Sequence, residues 1–161
     1  MAQRLAAEAS DRVAAIAAVI GGMAPQVSDR FAPARPLSVL IMNGTEDPLV
    51  PYAGGPVART RGTTVGVPEI VRLWTAHNRC TGAPVTALLD DVDPHDGTRV
   101  RRIAYEQCAD RTAVVLYAVE GGGHTWPGGT QYLPRTVIGR TSRDLAATPL
   151  IWQFFAGHPR P

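Results

Sequence analysis

The sequence predicts an α/β fold with a doubly wound sheet, and three observations carry that reading. Uninterrupted apolar runs of strand length stand at Val13 to Ile20 (VAAIAAVI), Leu37 to Met42 (LSVLIM) and Ala113 to Val119 (AVVLYAV). Such runs suit strands buried on both faces, as in a parallel sheet covered by helices. Helical periodicity appears between and after them, and the order helix, strand, strand, helix, hairpin, strand, helix fits neither a bundle nor a sandwich.

Each element has its own signal. Met1 to Ala9 (MAQRLAAEA) reads as an opening helix, with no positively charged and apolar leader pattern, so no export address is expected in the chain itself. The strand Val13 to Ile20 ends at glycine, Gly21 to Pro36 is a proline-rich connection, and the strand Leu37 to Met42 is followed by Asn43-Gly44. Over Val67 to Asn78 (VPEIVRLWTAHN), Ile70, Val71, Leu73 and Trp74 recur at helical spacing, and Pro68 suits a first-turn position. Val85 to Leu89 and Thr98 to Tyr105 flank Asp96-Gly97, a turn signal that predicts a small antiparallel hairpin excursion. Thr148-Pro149 reads as an N-cap followed by a first-turn proline. Leu150, Ile151, Phe154 and Phe155 give the last helix an apolar face, and Gly157 should stop it.

Composition narrows the function classes. Lys plus Arg number 16 against 14 Asp plus Glu, a net charge of +2 over 161 residues, and every one of the 16 is arginine, scattered along the chain. No stripe that would track phosphates emerges and no apolar run is long enough to span a bilayer, so neither a nucleic acid nor a membrane is expected as partner. With 16 glycines and 14 prolines, the chain exceeds the average share of roughly 12% but not the roughly 25–30% that marks low complexity. Residues 1–161 are read as one domain, since a chain of about 150 residues hides roughly 70% of its unfolded surface.

In open α/β sheets, functional groups sit on loops beyond the carboxyl ends of strands. Two residues stand there. Asp47, in NGTEDPLVP after the second strand, reads either as an Asx-turn residue before proline or as a catalytic carboxylate. His124 follows the third strand inside GGGHTWPGG, where three glycines let the backbone turn sharply and fix an imidazole at a strand end. A carboxylate followed by an imidazole in that chain order matches the last two members of a Ser, Asp, His triad as α/β-hydrolases order it.

The stretches NGTEDPLVPYAGG, WTAHNRC, Asp96-Gly97-Thr98, EGGGHTWPGG and GRTSRDLAATPLIWQFFAGHP resemble the family of poly(3-hydroxybutyrate) depolymerases and feruloyl or acetylxylan esterases, secreted serine hydrolases of the α/β-hydrolase fold. The resemblance implies that Asp47 is the triad acid, His124 the triad base, Trp126 a lining residue of the substrate cleft and Cys80 with Cys108 a disulfide pair. Trp126 packed beside Pro127, and two free buried thiols, are the plainer alternatives. An ester substrate, an extracellular location and the absence of cofactor or metal are likewise implied.

One family feature is missing. No G-x-S-x-G elbow occurs in the sequence, and Ser10, Ser28, Ser38 and Ser142 all lack flanking glycines. Relatives place the elbow ahead of a helix that continues in a form similar to GGMMAQRLA. The expectation is therefore the carboxyl-terminal half of an α/β-hydrolase sheet, with three parallel strands, an unfilled edge, marginal solubility and no activity by itself. Its partner would be the missing amino-terminal half. The alternatives are a non-catalytic remnant or binding module, and a hydrolase that uses Ser142. His77, His95 and His158 read as surface residues without metal-ligand spacing, and the glycosylation sequon Asn43-Gly44-Thr45 as chance.

Overall fold

A computed structural model describes residues 1–59 and 61–159. The main elements are α1 (Ala2–Glu8), β1 (Ala15–Val19), α2 (Pro25–Ser28), β2 (Ser38–Gly44), β3 (Gly55–Pro56), β4 (Thr63–Thr64), α3 (Val67–His77), β5 (Val85–Leu88), β6 (Arg99–Tyr105), β7 (Val114–Glu120), α4 (Arg135–Ile138) and α5 (Ala147–Gly157). A five-stranded sheet runs in the order β1-β2-β7-β6-β5. The first three strands are parallel, with Ala15 opposite Ser38 and Val39 opposite Val114. β6 and β5 add antiparallel strands, so the sheet is mixed.

The apolar runs explain the layering. Every residue of β2 is buried, as is all of β7 except Glu120, because β-strands in mid-sheet present alternate residues to two covered faces. One face sends Ile16, Val39, Ile41, Val114 and Leu116 against Ala6 of α1 and Val67, Ile70, Val71 and Trp74 of α3. The other sends Leu40, Met42, Val115 and Tyr117 against Phe154 of α5, with Leu150 and Ile151 partly buried. Fully burying a side chain of this size contributes about 1.5–3 kcal/mol, so the two faces hold most of the stabilising area.

Polar bonds anchor the helices. The Trp74 indole N–H, inside the first face, donates to Gln3 Oε1 at 2.7 Å. Asn78, at the carboxyl end of α3, accepts from Leu37 N–H at 3.1 Å and donates to its carbonyl at 2.7 Å, which fixes the entry to β2. Cys80 and Cys108 form a disulfide that joins the segment after α3 to the segment after β6.

Three expectations are corrected. The hairpin is no excursion, since β6 pairs along its whole length with β7. Asp96-Gly97 does not make a tight turn between its strands: Leu88 pairs with Arg101, and the connection is the loop 89–98. Gly97 takes φ +77°, but the Asp96 carboxylate accepts from Thr98 N–H and its hydroxyl, both at 2.7 Å, tying this pair to the start of β6. The last helix begins one residue before Thr148 and includes Gly157. Its N-cap position is Ala146, without a side-chain cap, because the Thr148 hydroxyl instead accepts from the Trp126 indole at 3.2 Å. Among the described residues, no helix is long and apolar enough to cross a membrane.

Candidate active site

Parallel pairing sets β2 and β7 side by side with Gly44 opposite Val119, so the loops leaving their carboxyl ends begin next to each other. Three bonds hold the exits together. Thr45 N–H donates to the Val119 carbonyl at 2.9 Å, Glu46 N–H to the Gly122 carbonyl at 2.9 Å, and Gly121 N–H to the Thr45 hydroxyl at 3.0 Å.

Glycine is required where the segments touch. Gly121 takes φ +74°, a left-handed conformation open to glycine at little cost. A Cβ on Gly44 would meet the Gly122 carbonyl, and one on Gly123 would meet the backbone of Ile138 and Gly139. Beyond the turn, Gly123 N–H donates to the Arg140 carbonyl and His124 N–H to the Ile138 carbonyl. The Tyr132 hydroxyl donates to the His124 carbonyl at 3.1 Å. His124 is thus held by its backbone on both sides.

The structure brings Asp47 and His124 together. His124 Nδ1 lies 2.9 Å from Asp47 Oδ2, with the carboxylate side chain 0% exposed and the imidazole 22% exposed. The other oxygen, Oδ1, accepts from Leu49 N–H and Val50 N–H, each at 2.8 Å. With Nδ1–H donated to the carboxylate, a neutral ring keeps its lone pair on Nε2, the arrangement of a general base whose tautomer is fixed by its partner. Arg140 pairs with Glu46 at 3.2 Å, beside Asp47. On the loop past Asp47, burial and then the charge of Glu120 push the Tyr52 phenol above the ordinary tyrosine range, so it is a neutral hydroxyl at neutral pH.

The remaining candidates lie elsewhere. Trp126 is 43% exposed and borders a groove of about 380 Å³ beside the edge strand, which Ile151 and Phe155 also line. Ser142 is 1% exposed. Its hydroxyl lies 2.8 Å from Thr98 Oγ1 and accepts from Asp144 N–H at 3.3 Å, so it belongs to a buried network with Thr98 and Asp144. Asn43 is buried within β2, its amide donating to the Gly21 carbonyl at 3.3 Å, which leaves no room for a glycan. His77 is half-buried rather than a surface residue, with its ring edge-on to Phe31 and Trp74, and His158 is half-buried against Phe154. His95 is exposed. Among the described residues, no group of three His, Cys, Asp or Glu side chains is placed to hold a metal ion.

Sequence reasoning passed over Tyr132 and gave no role to Glu46 or Arg140, and these three brace the histidine segment. The run Arg140 to Asp144 (RTSRD) entered only as part of the stretch GRTSRDLAATPLIWQFFAGHP that carries the resemblance. In the structure, Thr141 N–H and hydroxyl both bond Gln131 Oε1, Arg143 N–H donates to Asp96 Oδ2 at 2.7 Å, and Asp144 Oδ1 accepts from Val92 and Asp93 N–H. The motif is a bracket between the histidine segment and the loop before β6.

The chain is 33% identical over 165 residues to "Putative esterase NocK" of Nocardia uniformis subsp. tsuyamanensis, covering 98% of the chain and 48% of that protein. It is 31% identical over 120 residues to "Feruloyl esterase B" of Piromyces equi, covering 71% of the chain and 21% of that protein. No family model matches the chain. The chain spans about half the length of the first relative and about a fifth of the second. These two likenesses, in a mixed α/β sheet with a carboxylate-imidazole pair at adjacent strand ends, support an esterase family for the chain.

Proposed function

We propose that this chain is the carboxyl-terminal portion of a secreted serine carboxylic-ester hydrolase, one partial α/β-hydrolase domain that supplies the triad acid Asp47 and the triad base His124. The observation that carries the reading is the 2.9 Å contact between His124 Nδ1 and the buried Asp47 carboxylate. In the complete enzyme a serine from the other portion attacks the ester carbonyl. His124 Nε2 takes the serine proton and returns it to the alcohol leaving group, while Asp47 holds the ring in its productive tautomer and stabilises the imidazolium. That other portion also supplies the oxyanion hole, one donor of which follows the nucleophile in sequence. The chemistry needs no cofactor.

The substrate class is a polyester, hydroxycinnamoyl or acetyl ester, in keeping with the resemblance and with the name of the feruloyl esterase relative. Trp126, two residues beyond His124 and partly exposed, is assigned to the substrate cleft. The Cys80–Cys108 bond suits an oxidising, extracellular compartment.

Hydrolysis of a short p-nitrophenyl ester tests the proposal. The chain alone is expected to be inactive. Fusion behind the remaining portion of an esterase such as the Nocardia relative, carrying a G-x-S-x-G elbow, is expected to give turnover that His124→Ala abolishes. Turnover by the lone chain that survives His124→Ala, or a folded fusion indifferent to that change, would sink it.

A further inference from the structure

A second concavity, of about 630 Å³, lies between the 93–96 turn and the 129–143 segment, within the size range of small-molecule sites. Its hydrogen-bonding ledger is lopsided. Both acids on its wall already accept protein donors: Asp93 accepts from His95 N–H at 3.1 Å and pairs with Arg143 at 3.2 Å. Asp96 accepts from Thr98 through one oxygen and from Arg143 N–H through the other. Gln131 is saturated as well, taking two donors from Thr141 and giving its amide to the Leu133 and Gly139 carbonyls.

The cationic donors are mostly unspent. Among the described residues, the Arg135 guanidinium makes no hydrogen bond or ion pair and neither ring nitrogen of His95 has a partner, while Arg143 spends a single N–H on Asp93. Unmatched donors lining one concavity favour an oxyanion, and a guanidinium fork matches a planar carboxylate with two parallel bonds. The lone pairs left on Asp93 and Asp96 can accept from hydroxyl groups, which two guanidiniums alone could not recognise.

We propose that this concavity binds a hydroxylated small carboxylate of the uronic-acid class, with Arg135 and Arg143 on the carboxylate and His95 at its margin. Neither Asp47 nor His124 lines the concavity, and the proposal does not rest on the ester-hydrolase reading. Concavity and pair are nonetheless mechanically joined, since the segment that walls the concavity also holds His124 through the Ile138 carbonyl and the Tyr132 hydroxyl.

The test is direct binding to the intact chain, followed by the imidazole C–H resonances of its four histidines, with the His95 signal assigned by its loss in His95→Gln. Sodium glucuronate is expected to shift the His95 signal saturably and to bind more weakly as salt rises. Glucose, which lacks the carboxylate, is expected to leave it unmoved. Arg135→Gln, a change at an exposed position that should not disturb folding, is expected to weaken glucuronate binding by about tenfold or more. Absence of a saturable shift, equal binding of glucose, equal binding of inorganic sulfate, or unchanged affinity in Arg135→Gln would each overturn the proposal.

Discussion

Asp47 shows how one side chain can satisfy two readings at once. As an Asx-turn residue it bonds through Oδ1 to the N–H groups two and three residues on, and through Oδ2 it faces His124. The two roles separate by substitution. Asp47→Asn retains an oxygen acceptor for Leu49 and Val50 and is expected to unfold in urea within about 1 kcal/mol of the parent, a neutral acceptor replacing a charged one. Asp47→Ala leaves both N–H groups without that acceptor and is expected to lose about 1–3 kcal/mol. In an active fusion, either change should lower turnover. The amide should cost on the order of 10⁴-fold, because an NH₂ against Nδ1 would select the wrong ring tautomer. Equal loss of stability in both variants would mean that the turn bonds contribute nothing. Full turnover in Asp47→Asn would remove the carboxylate from the reaction.

At the scale of elements, apolar runs made β1, β2 and β7 legible, and 3.6-residue periodicity made α3 and α5 legible, because burial on one or both faces writes directly into the sequence. The observed bounds differ from the expected ones by a residue or two at the ends. The place of the β5–β6 hairpin was not legible. β5 is exposed throughout while β6 buries only Val100 and Ala104, so neither carries the apolar run that marks a strand in mid-sheet. Glycine spacing revealed the His124 turn but not what it packs against, since the partner backbone at Ile138–Gly139 is remote in sequence. Gly123→Ala puts a methyl group into that backbone and is expected to cost about 1–3 kcal/mol, the range for overpacking a tight site. It should also lower turnover in a fusion by displacing the imidazole. Gly157→Ala, with open space around its Cα, is the matched control and should neither destabilise the chain nor lower turnover, a helical Gly→Ala change being worth up to about 1 kcal/mol in the favourable direction. The disulfide makes a second test at this scale. Its cysteines are 28 residues apart, and closing such a loop contributes about 3.5 kcal/mol in the chain-entropy model. Urea unfolding of the Cys80→Ser, Cys108→Ser double variant is expected to show a loss of that order, and an unchanged midpoint would count against it.

The whole molecule has one unbalanced side. β5 closes one edge of the sheet as an exposed, short strand, whereas β1 ends the other with no partner among the described residues beyond it. Around that second edge lies a groove of about 380 Å³ bordered by Met1, Ala17–Val19, Trp126, Ile151 and Phe155, and Trp152 next to it is 73% exposed. Edge strands with unpaired backbone groups are templates for pairing with another chain, and natural proteins protect them with charge, proline or a covering element. β1 reads Ala-Ile-Ala-Ala-Val, with none of those protections. Large exposed aromatic side chains gathered beside it mark an association surface. The isolated chain is therefore expected to self-associate at tens of micromolar, with sizing and light scattering giving a mass that rises with concentration. Trp152→Glu places a charge on that surface without touching the core and is expected to move the distribution toward monomer. Fusion to the complementary portion of an esterase should do the same by occupying the edge, and in that context Trp152→Glu should have the opposite effect, weakening the joined enzyme. A monodisperse monomer across the whole concentration range would show that the β1 edge and its aromatic border are tolerated in water, and would remove the physical reason for expecting a second piece there.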